Sequence, residues 1–334
     1  TEETRKELYN DLGALAYHIN PNSNALIIGA GGGVDVLRAL TFNNSVTGVE
    51  INDIIVNDLM KEKLRNFSGN LYFGDDVNII VDEGRNYIKR SKEKYDTIQM
   101  SLIDTWAATA AGAFTLTENN LYTVEAFVDY LNKLEDNGIF TTTRWEFSKP
   151  QETIRIVAIA LEALEELGIE DSEKNIFILK QDVTLPTAQR TRFEAVANVM
   201  IKRSAFSEEE AKILLEKADL GNFEVLYNPY EEKENIYNQL IRSNNKQKFY
   251  EEYSLDISPT TDDRPFFFYT LKLKETLNFK KLFSGGYEEE ISLKTNLGLF
   301  LLIITFFLTI GLAVAFILIP QILKKYKDLS TNTL

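Results

Sequence analysis

The stretch LIIGAGGGVDVLRAL at residues 26–40 runs an apolar segment into Gly29, Gly31, Gly32 and Gly33, then an aspartate, Asp35, then an apolar helical face. Glycines at such a junction let the chain turn tightly and bring a ligand up to the first amides of the following helix. Glu50 lies 21 residues beyond Gly29, at the end of the strand-like SVTGVE. A carboxylate there can accept from both hydroxyls of a ribose. A dinucleotide loop, G-x-G-x-x-G, would place a third glycine at Val34, but this chain has G-A-G-G-G-V. The loop therefore suits a nucleoside without a pyrophosphate, which in this kind of turn means S-adenosylmethionine or a relative of it, ahead of a nicotinamide or flavin dinucleotide.

Two further acidic points follow apolar runs. Asp82-Glu83-Gly84 comes after NIIV, where Glu83 could accept from an adenine amino group and Gly84 leave room for the base; a capped turn opening the next helix is the alternative. Asp104 closes YDTIQMSLID and is followed by TWAATAAGAF, whose small residues suit a lid or substrate wall, with Trp106 and Tyr122 as candidate sides of that space. The segment TTDDRPFFFY at 260–269 reads as an anchored loop. Asp262 or Asp263 is expected to pair with Arg264 or another nearby arginine, with Asp263 also a candidate for a cationic substrate.

Composition narrows the chemistry. The net charge of −14 argues against a nucleic-acid partner, which would require clustered Lys and Arg. The absence of cysteine excludes disulfides, a thiol nucleophile and thiolate metal ligation, and a single histidine, His18, excludes paired-histidine metal motifs. No metal is expected. Proton transfer falls to carboxylates, Tyr, Lys, hydroxyls or His18 itself.

These residues need strands to hold them. ALII, SVTGVE, NIIV, YDTIQMSLID, the run ending in TTTRW, NIFILK and ANVMIKR read as strands, the last of these taken as the final one. Helix-length patterns separate most of them, which predicts an α/β fold with a doubly wound, mostly parallel sheet of the S-adenosylmethionine-dependent transferase type. The expected layout is an N-terminal helix at 1–20, a cofactor-binding domain at 21–205, and an appendage with linker at 206–295, irregular and aromatic-rich over 223–270. A transmembrane helix at 296–320 and a short polar tail at 321–334 complete it.

Residues 297–320 carry no charge over 24 positions, enough for about 36 Å of helix against a hydrocarbon layer of roughly 30 Å. A lipid bilayer is thus an expected partner. Lysines flank the segment on both sides and leave its direction open. A cytosolic cofactor asks for a globular domain facing the cytoplasm, whereas Lys324, Lys325 and Lys327 favour a cytoplasmic C-terminus. Further spans outside this chain would reconcile the two, and the start at Thr1 without an initiator Met fits an excised piece. A homodimer is equally compatible.

Taken in order, GGGxDxxR, VEI, DEGRNYI, YDTIQMSLID, LTENNLYTVEAF and TTDDRPFFFY resemble the spermidine synthase-like family, in particular its membrane-associated branch, over roughly residues 15–270. The resemblance implies aminopropyl transfer from decarboxylated S-adenosylmethionine to a small-molecule amine. It implies that Glu50 binds ribose and that Glu83 stands where the family has an aspartate beside adenine. Asp35 stands about one position from an aspartate that helps hold cofactor or amine. The family's catalytic loop carries two aspartates three residues apart, the first being the base toward the attacking amine; the matching positions here are Ser101 and Asp104. A neutral hydroxyl neither stabilises a cationic amine nor takes its proton readily. The long amine-binding region ahead of the glycine loop in soluble members is also missing. Methyl transfer to some other nucleophile is therefore an alternative, and a non-catalytic nucleoside sensor or membrane scaffold is another.

Overall fold

A computed structural model describes residues 2–103, 118–183, 195–270, 272 and 304–324. The described residues up to 270 form one compact unit, and the apolar helix belongs to a second.

The first unit is built on an eight-stranded sheet of order β3-β2-β1-β4-β5-β7-β6-β8. Its strands are β1 (Asn24–Ile28), β2 (Ser45–Glu50), β3 (Val77–Val81), β4 (Tyr95–Ser101), β5 (Leu134–Glu146), β6 (Ile176–Asp182), β7 (Ala195–Lys202) and β8 (Glu224–Tyr227). The first five are parallel, while β7, β6 and β8 join antiparallel. The sheet is the doubly wound, mostly parallel one that the alternating pattern predicts. Its central strand shows why the run is continuously apolar. In β1, Leu26 and Ile28 enter the core on one face, and Ala25 and Ile27 enter the core on the other.

Helix α1 (Glu2–Tyr9) and α2 (Leu15–Ile19) precede the sheet, and α3 (Val34–Thr41) follows the glycine loop. Helix α4 (Ile54–Lys63) is wound as a π-helix, and α5 (Gly84–Arg90) follows β3. Helix α6 (Val124–Asn132) leads into β5. The 15-residue α7 (Glu152–Glu166) is buried from Glu152 through Leu161, a mostly apolar run that also encloses the charged Glu152 and Arg155. Helix α8 (Glu208–Gly221) opens on a capping box between Ser207 and Glu210, as its acidic first turn predicts.

The region expected to be irregular is more ordered than its sequence suggests. Strand β8 adds an edge beyond ANVMIKR, and α9 (Ile236–Ile241) and α10 (Lys246–Glu252) follow it. Tyr227, Tyr237 and Tyr250 sit in the main core with the residues of α7. His18 is packed edge-on against Tyr9 and Phe42, its Nε2 2.9 Å from the Tyr9 carbonyl oxygen, and burial pushes it down to about 4. It is a neutral packing residue at neutral pH.

The carboxyl end of β5 carries Glu146, 6% exposed, which receives the Tyr237 hydroxyl at 2.6 Å. Burial pushes its carboxyl from 4.5 up to about 7, against the opposing effect of hydrogen bonds from Tyr237 and Thr153. Between those values the unfolded chain has lost the proton and the folded chain still holds it. The stabilisation is full below pH 4.5 and is lost as pH rises through 7. The difference corresponds to about 3 kcal/mol. Denaturant unfolding at pH 5 and pH 8 should therefore show a smaller pH dependence for Glu146→Gln than for the wild type. An unchanged difference between the two pH values would exclude Glu146 as its source.

In the second unit, the helix Ile304–Lys324 has 21 residues and is long and apolar enough to cross a membrane.

Candidate active site at the carboxyl edge of the sheet

Strands β1 and β4 lie side by side in parallel, with Ile28 opposite Met100, and the chain leaves them toward opposite sides of the sheet. Such a reversal opens a crevice at the strands' carboxyl ends, where ligands of doubly wound sheets bind. The glycine loop is the exit of β1 into this crevice. Gly29 has φ 77°, and a Cβ on it would stand 2.5 Å from the Ile103 side chain, so only glycine lets the loop lie against the exit of β4. Gly33 caps α3 in the left-handed region at φ 84°. A Cβ on Gly32 would meet nothing within 4 Å, so the loop faces open space there.

Glu50 braces this loop from the end of β2. One carboxylate oxygen accepts from the Gly31 amide and the other from the Asn52 amide, both at 2.9 Å. Each oxygen keeps a lone pair for a further donor. The Tyr72 hydroxyl donates to the Gly31 carbonyl at 2.6 Å, a brace that the sequence reading missed. Burial raises the Tyr72 phenol well above its ordinary range, so it stays a donor.

Below the loop, α3 and β4 bring Asp35 and Ser101 together. Asp35, 7% exposed, pairs with Arg38 one turn along its helix, and the Arg38 Nε lies 3.0 Å from Asp11. The Gln99 Nε2 donates to Asp35 at 2.9 Å and to Ser101 Oγ at 3.1 Å. The same Gln99 nitrogen also donates to the Gly13 carbonyl at 3.0 Å, so it bridges Asp35, Ser101 and the backbone ahead of α2. The Tyr17 hydroxyl donates to Gln99 Oε1 at 2.5 Å, which fixes the amide with its nitrogen toward the carboxylate. Burial moves the Asp35 carboxyl upward even with Arg38 beside it. Gln99, a polar residue between Ile98 and Met100 in the middle of a buried strand, was the available sequence signal for this cluster; Tyr17 and Asp11 gave none.

The third acidic point is engaged with its own helix. Glu83 caps α5, accepting from the Arg85 and Asn86 amides at 3.0 and 2.8 Å. Asp82 accepts from the Glu83 amide at 2.9 Å and pairs with Arg90. A Cβ on Gly84 would come 2.5 Å from Ile28, so glycine here lets α5 start hard against β1. The cap alternative thus describes the carboxylate of Glu83 as it stands, and the turn lies beside the same strand ends as the glycine loop.

Arg85 reaches from α5 to Asp262 through two hydrogen bonds, at 2.5 and 2.8 Å, and to Asp129 at 3.0 Å. These bonds hold the Asp262 carboxyl below the usual carboxylate range. The TTDDRP turn is thus anchored by Asp262, leaving Asp263 exposed. Tyr122 is fully buried, stacked on Phe267 with ring centroids 4.5 Å apart, and its hydroxyl receives Arg144 at 3.0 Å. It is a core side chain rather than the wall of an open space, because the TTDDRPFFFY segment packs over it. Asp104 and Trp106, with the small residues after them, lie outside the described residues.

A family model for the spermine/spermidine synthase domain matches residues 6–179, just over half of the chain. The chain belongs to this family. Among curated relatives, the polyamine aminopropyltransferase of Buchnera aphidicola subsp. Acyrthosiphon pisum is 37% identical over 127 residues, 37% of this chain and 41% of that protein. The polyamine aminopropyltransferase of Thermoplasma volcanium is 28% identical over 144 residues, 42% of this chain and 49% of that protein. The chain spans less than half the length of these two relatives. Of the solved structures, spermidine synthase from Thermotoga maritima is 18% identical, with a TM-score of 0.44 over 66% of this chain and 67% of that one.

Proposed function

We propose that this chain is an aminopropyltransferase, moving the aminopropyl group of decarboxylated S-adenosylmethionine to an amine. The observation that carries the reading is the open glycine loop braced by Glu50 at the switch point, in a chain of the spermine/spermidine synthase family. Loop amides and a carboxylate able to take two ribose hydroxyls suit a nucleoside, and nothing in the G-A-G-G-G-V turn calls for a pyrophosphate. The Glu83 turn and Gly84 would flank the adenine from the end of β3. Asp104 would face the sulfonium and the incoming amine from beyond β4, with Trp106 and Asp263 as contacts to substrate.

The reaction needs alignment above all. The amine nitrogen attacks the methylene next to sulfur, the C–S bond breaks, its electron pair returns to sulfur, and the new ammonium gives up one proton. The thioether leaves without protonation, so the protein's work is to align donor and acceptor, favour a cation and accept that proton. The cofactor is a cytosolic nucleoside, which puts the sheet domain on the cytoplasmic side and the helix Ile304–Lys324 in the bilayer.

Calorimetric titration of the intact chain in detergent tests the cofactor class. Decarboxylated S-adenosylmethionine and its thioether product are expected to bind and NAD is not. Glu50→Ala should weaken the binding by about 1–3 kcal/mol, the cost of leaving hydrogen-bonding groups unpaired. Saturable NAD binding with none of the sulfonium nucleoside would overturn the reading.

A further inference from the structure

The family's base position is a serine in this chain, yet a carboxylate, Asp35, shares the Gln99 amide nitrogen with it. The directions of the hydrogen bonds in this cluster are fixed from outside. The Tyr17 hydroxyl donates to Gln99 Oε1, so the amide nitrogen is the atom turned toward Ser101 and Asp35. Ser101 Oγ accepts from that nitrogen, which leaves the serine's own proton to turn toward Asp35, the carboxylate held by the same nitrogen. A hydroxyl has two lone pairs. One receives Gln99, and the other remains for an N–H on the open side of the strand end.

The charge balance agrees with a cationic guest. Asp11 and Asp35 both face Arg38, two carboxylates to one guanidinium, so the cluster holds one net negative charge beneath the crevice. The residue after Ser101, Leu102, has φ 45°, and its amide donates to the Thr143 carbonyl at 3.2 Å. Ser101 is thereby held at a sharp exit from β4 and not within a continuing strand.

We propose that Asp35, acting through the Ser101 hydroxyl, does the work of the missing carboxylate at position 101, so that the negative charge has moved from strand β4 to helix α3. The inference rests on the aminopropyl-transfer reading. In the step, the new N–C bond forms as C–S breaks. One ammonium proton passes to Ser101 Oγ while the serine proton passes to Asp35, which alone releases its proton to solvent after product leaves, so that Ser101 ends as the hydroxyl it began as. Ser101 is the group that touches the amine, and Asp35 is the positioning residue that makes the hydroxyl an acceptor. Arg38 and Gln99 hold Asp35 in place, and Asp11 keeps Arg38 from cancelling its charge.

Relocation can be tested by moving the carboxylate back. Steady-state transfer to putrescine from decarboxylated S-adenosylmethionine is measured for the intact chain and for Asp35→Asn, Ser101→Ala and the double variant Asp35→Asn/Ser101→Asp. Calorimetric affinity for the thioether product serves as the check that each variant is folded. The expected result is a fall in kcat of about 10²-fold in both single variants, with product affinity within a few-fold of wild type and the KM of the amine raised. The double variant should regain at least ten-fold over Asp35→Asn. Should Asp35→Asn fail to fold, Ser101→Ala, which leaves the Asp35–Arg38 pair intact, carries the test alone. Either single variant folded with wild-type kcat, or a double variant no better than Asp35→Asn, would overturn the relay. Absence of aminopropyl transfer by the wild type, with nucleoside binding retained, would instead overturn the function beneath it.

Discussion

Asp104→Asn is expected to lower kcat by about 10²–10⁴-fold, the range for losing a positioned proton-transfer or charge-stabilising group. Affinity for the nucleoside should stay within a few-fold. The reason for this split is positional. The proposed anchors of the nucleoside are at the ends of β1, β2 and β3, where Glu50 braces Gly31 and Gly84 packs against Ile28. Asp104 comes three residues after Ser101, the last residue of β4, and is the residue proposed to meet the sulfonium and the amine. Asparagine keeps the shape and removes the charge, so a change confined to kcat reports on the developing cation alone. Unchanged turnover would take Asp104 out of the mechanism.

The largest expected loss of stability comes from Arg155→Met. Arg155 is 1% exposed on α7, and its guanidinium donates to the carbonyls of Phe267 at 2.6 Å, Tyr269 at 2.7 Å and Phe266 at 3.3 Å, as well as to that of Asp256. It also lies 3.4 Å from the Asp256 carboxylate. One side chain therefore satisfies four backbone carbonyls of the loop packed over α7. Methionine fills similar volume but leaves those carbonyls without their donor, and breaking a buried charged network of this kind costs about 3–5 kcal/mol. The melting temperature should fall on the order of 10 °C. Arg155→Lys should recover only part of this, since an ammonium cannot span carbonyls that a planar fork reaches together. A melting temperature within a degree or two of wild type for Arg155→Met would show that the loop is held by its aromatic packing instead.

That loop also shows where the sequence was readable and where it was not. Strand β2 and helix α3 follow from local pattern because each has a glycine or turn at its border and an apolar face of the right period. Strand β8 escaped because it is four residues long at the sheet edge, with a register shift against β6. Helices α9 and α10, of six and seven residues, carry Asn235 and Asn245 as caps, but helices so short owe their stability to tertiary packing. At the site, the glycine loop and Glu50 were legible because their spacing is local and fixed by a βαβ unit. The Tyr17–Gln99 bond joins residues 82 apart, and Arg85–Asp262 joins residues 177 apart. Pairings at such separation are made by the fold, and no local spacing announces them. Tyr122 reads as a substrate wall from its neighbours in sequence, whereas its neighbour in space is Phe267.

The most direct test of aminopropyl transfer is the mass of the product. The intact chain is incubated with putrescine and either decarboxylated S-adenosylmethionine or S-adenosylmethionine, and the amines are resolved by mass spectrometry. The expected product is putrescine extended by one aminopropyl group, formed with the decarboxylated cofactor only and together with an equal amount of the thioether nucleoside. A methylated product formed from S-adenosylmethionine, with no aminopropyl product from the decarboxylated form, would contradict it.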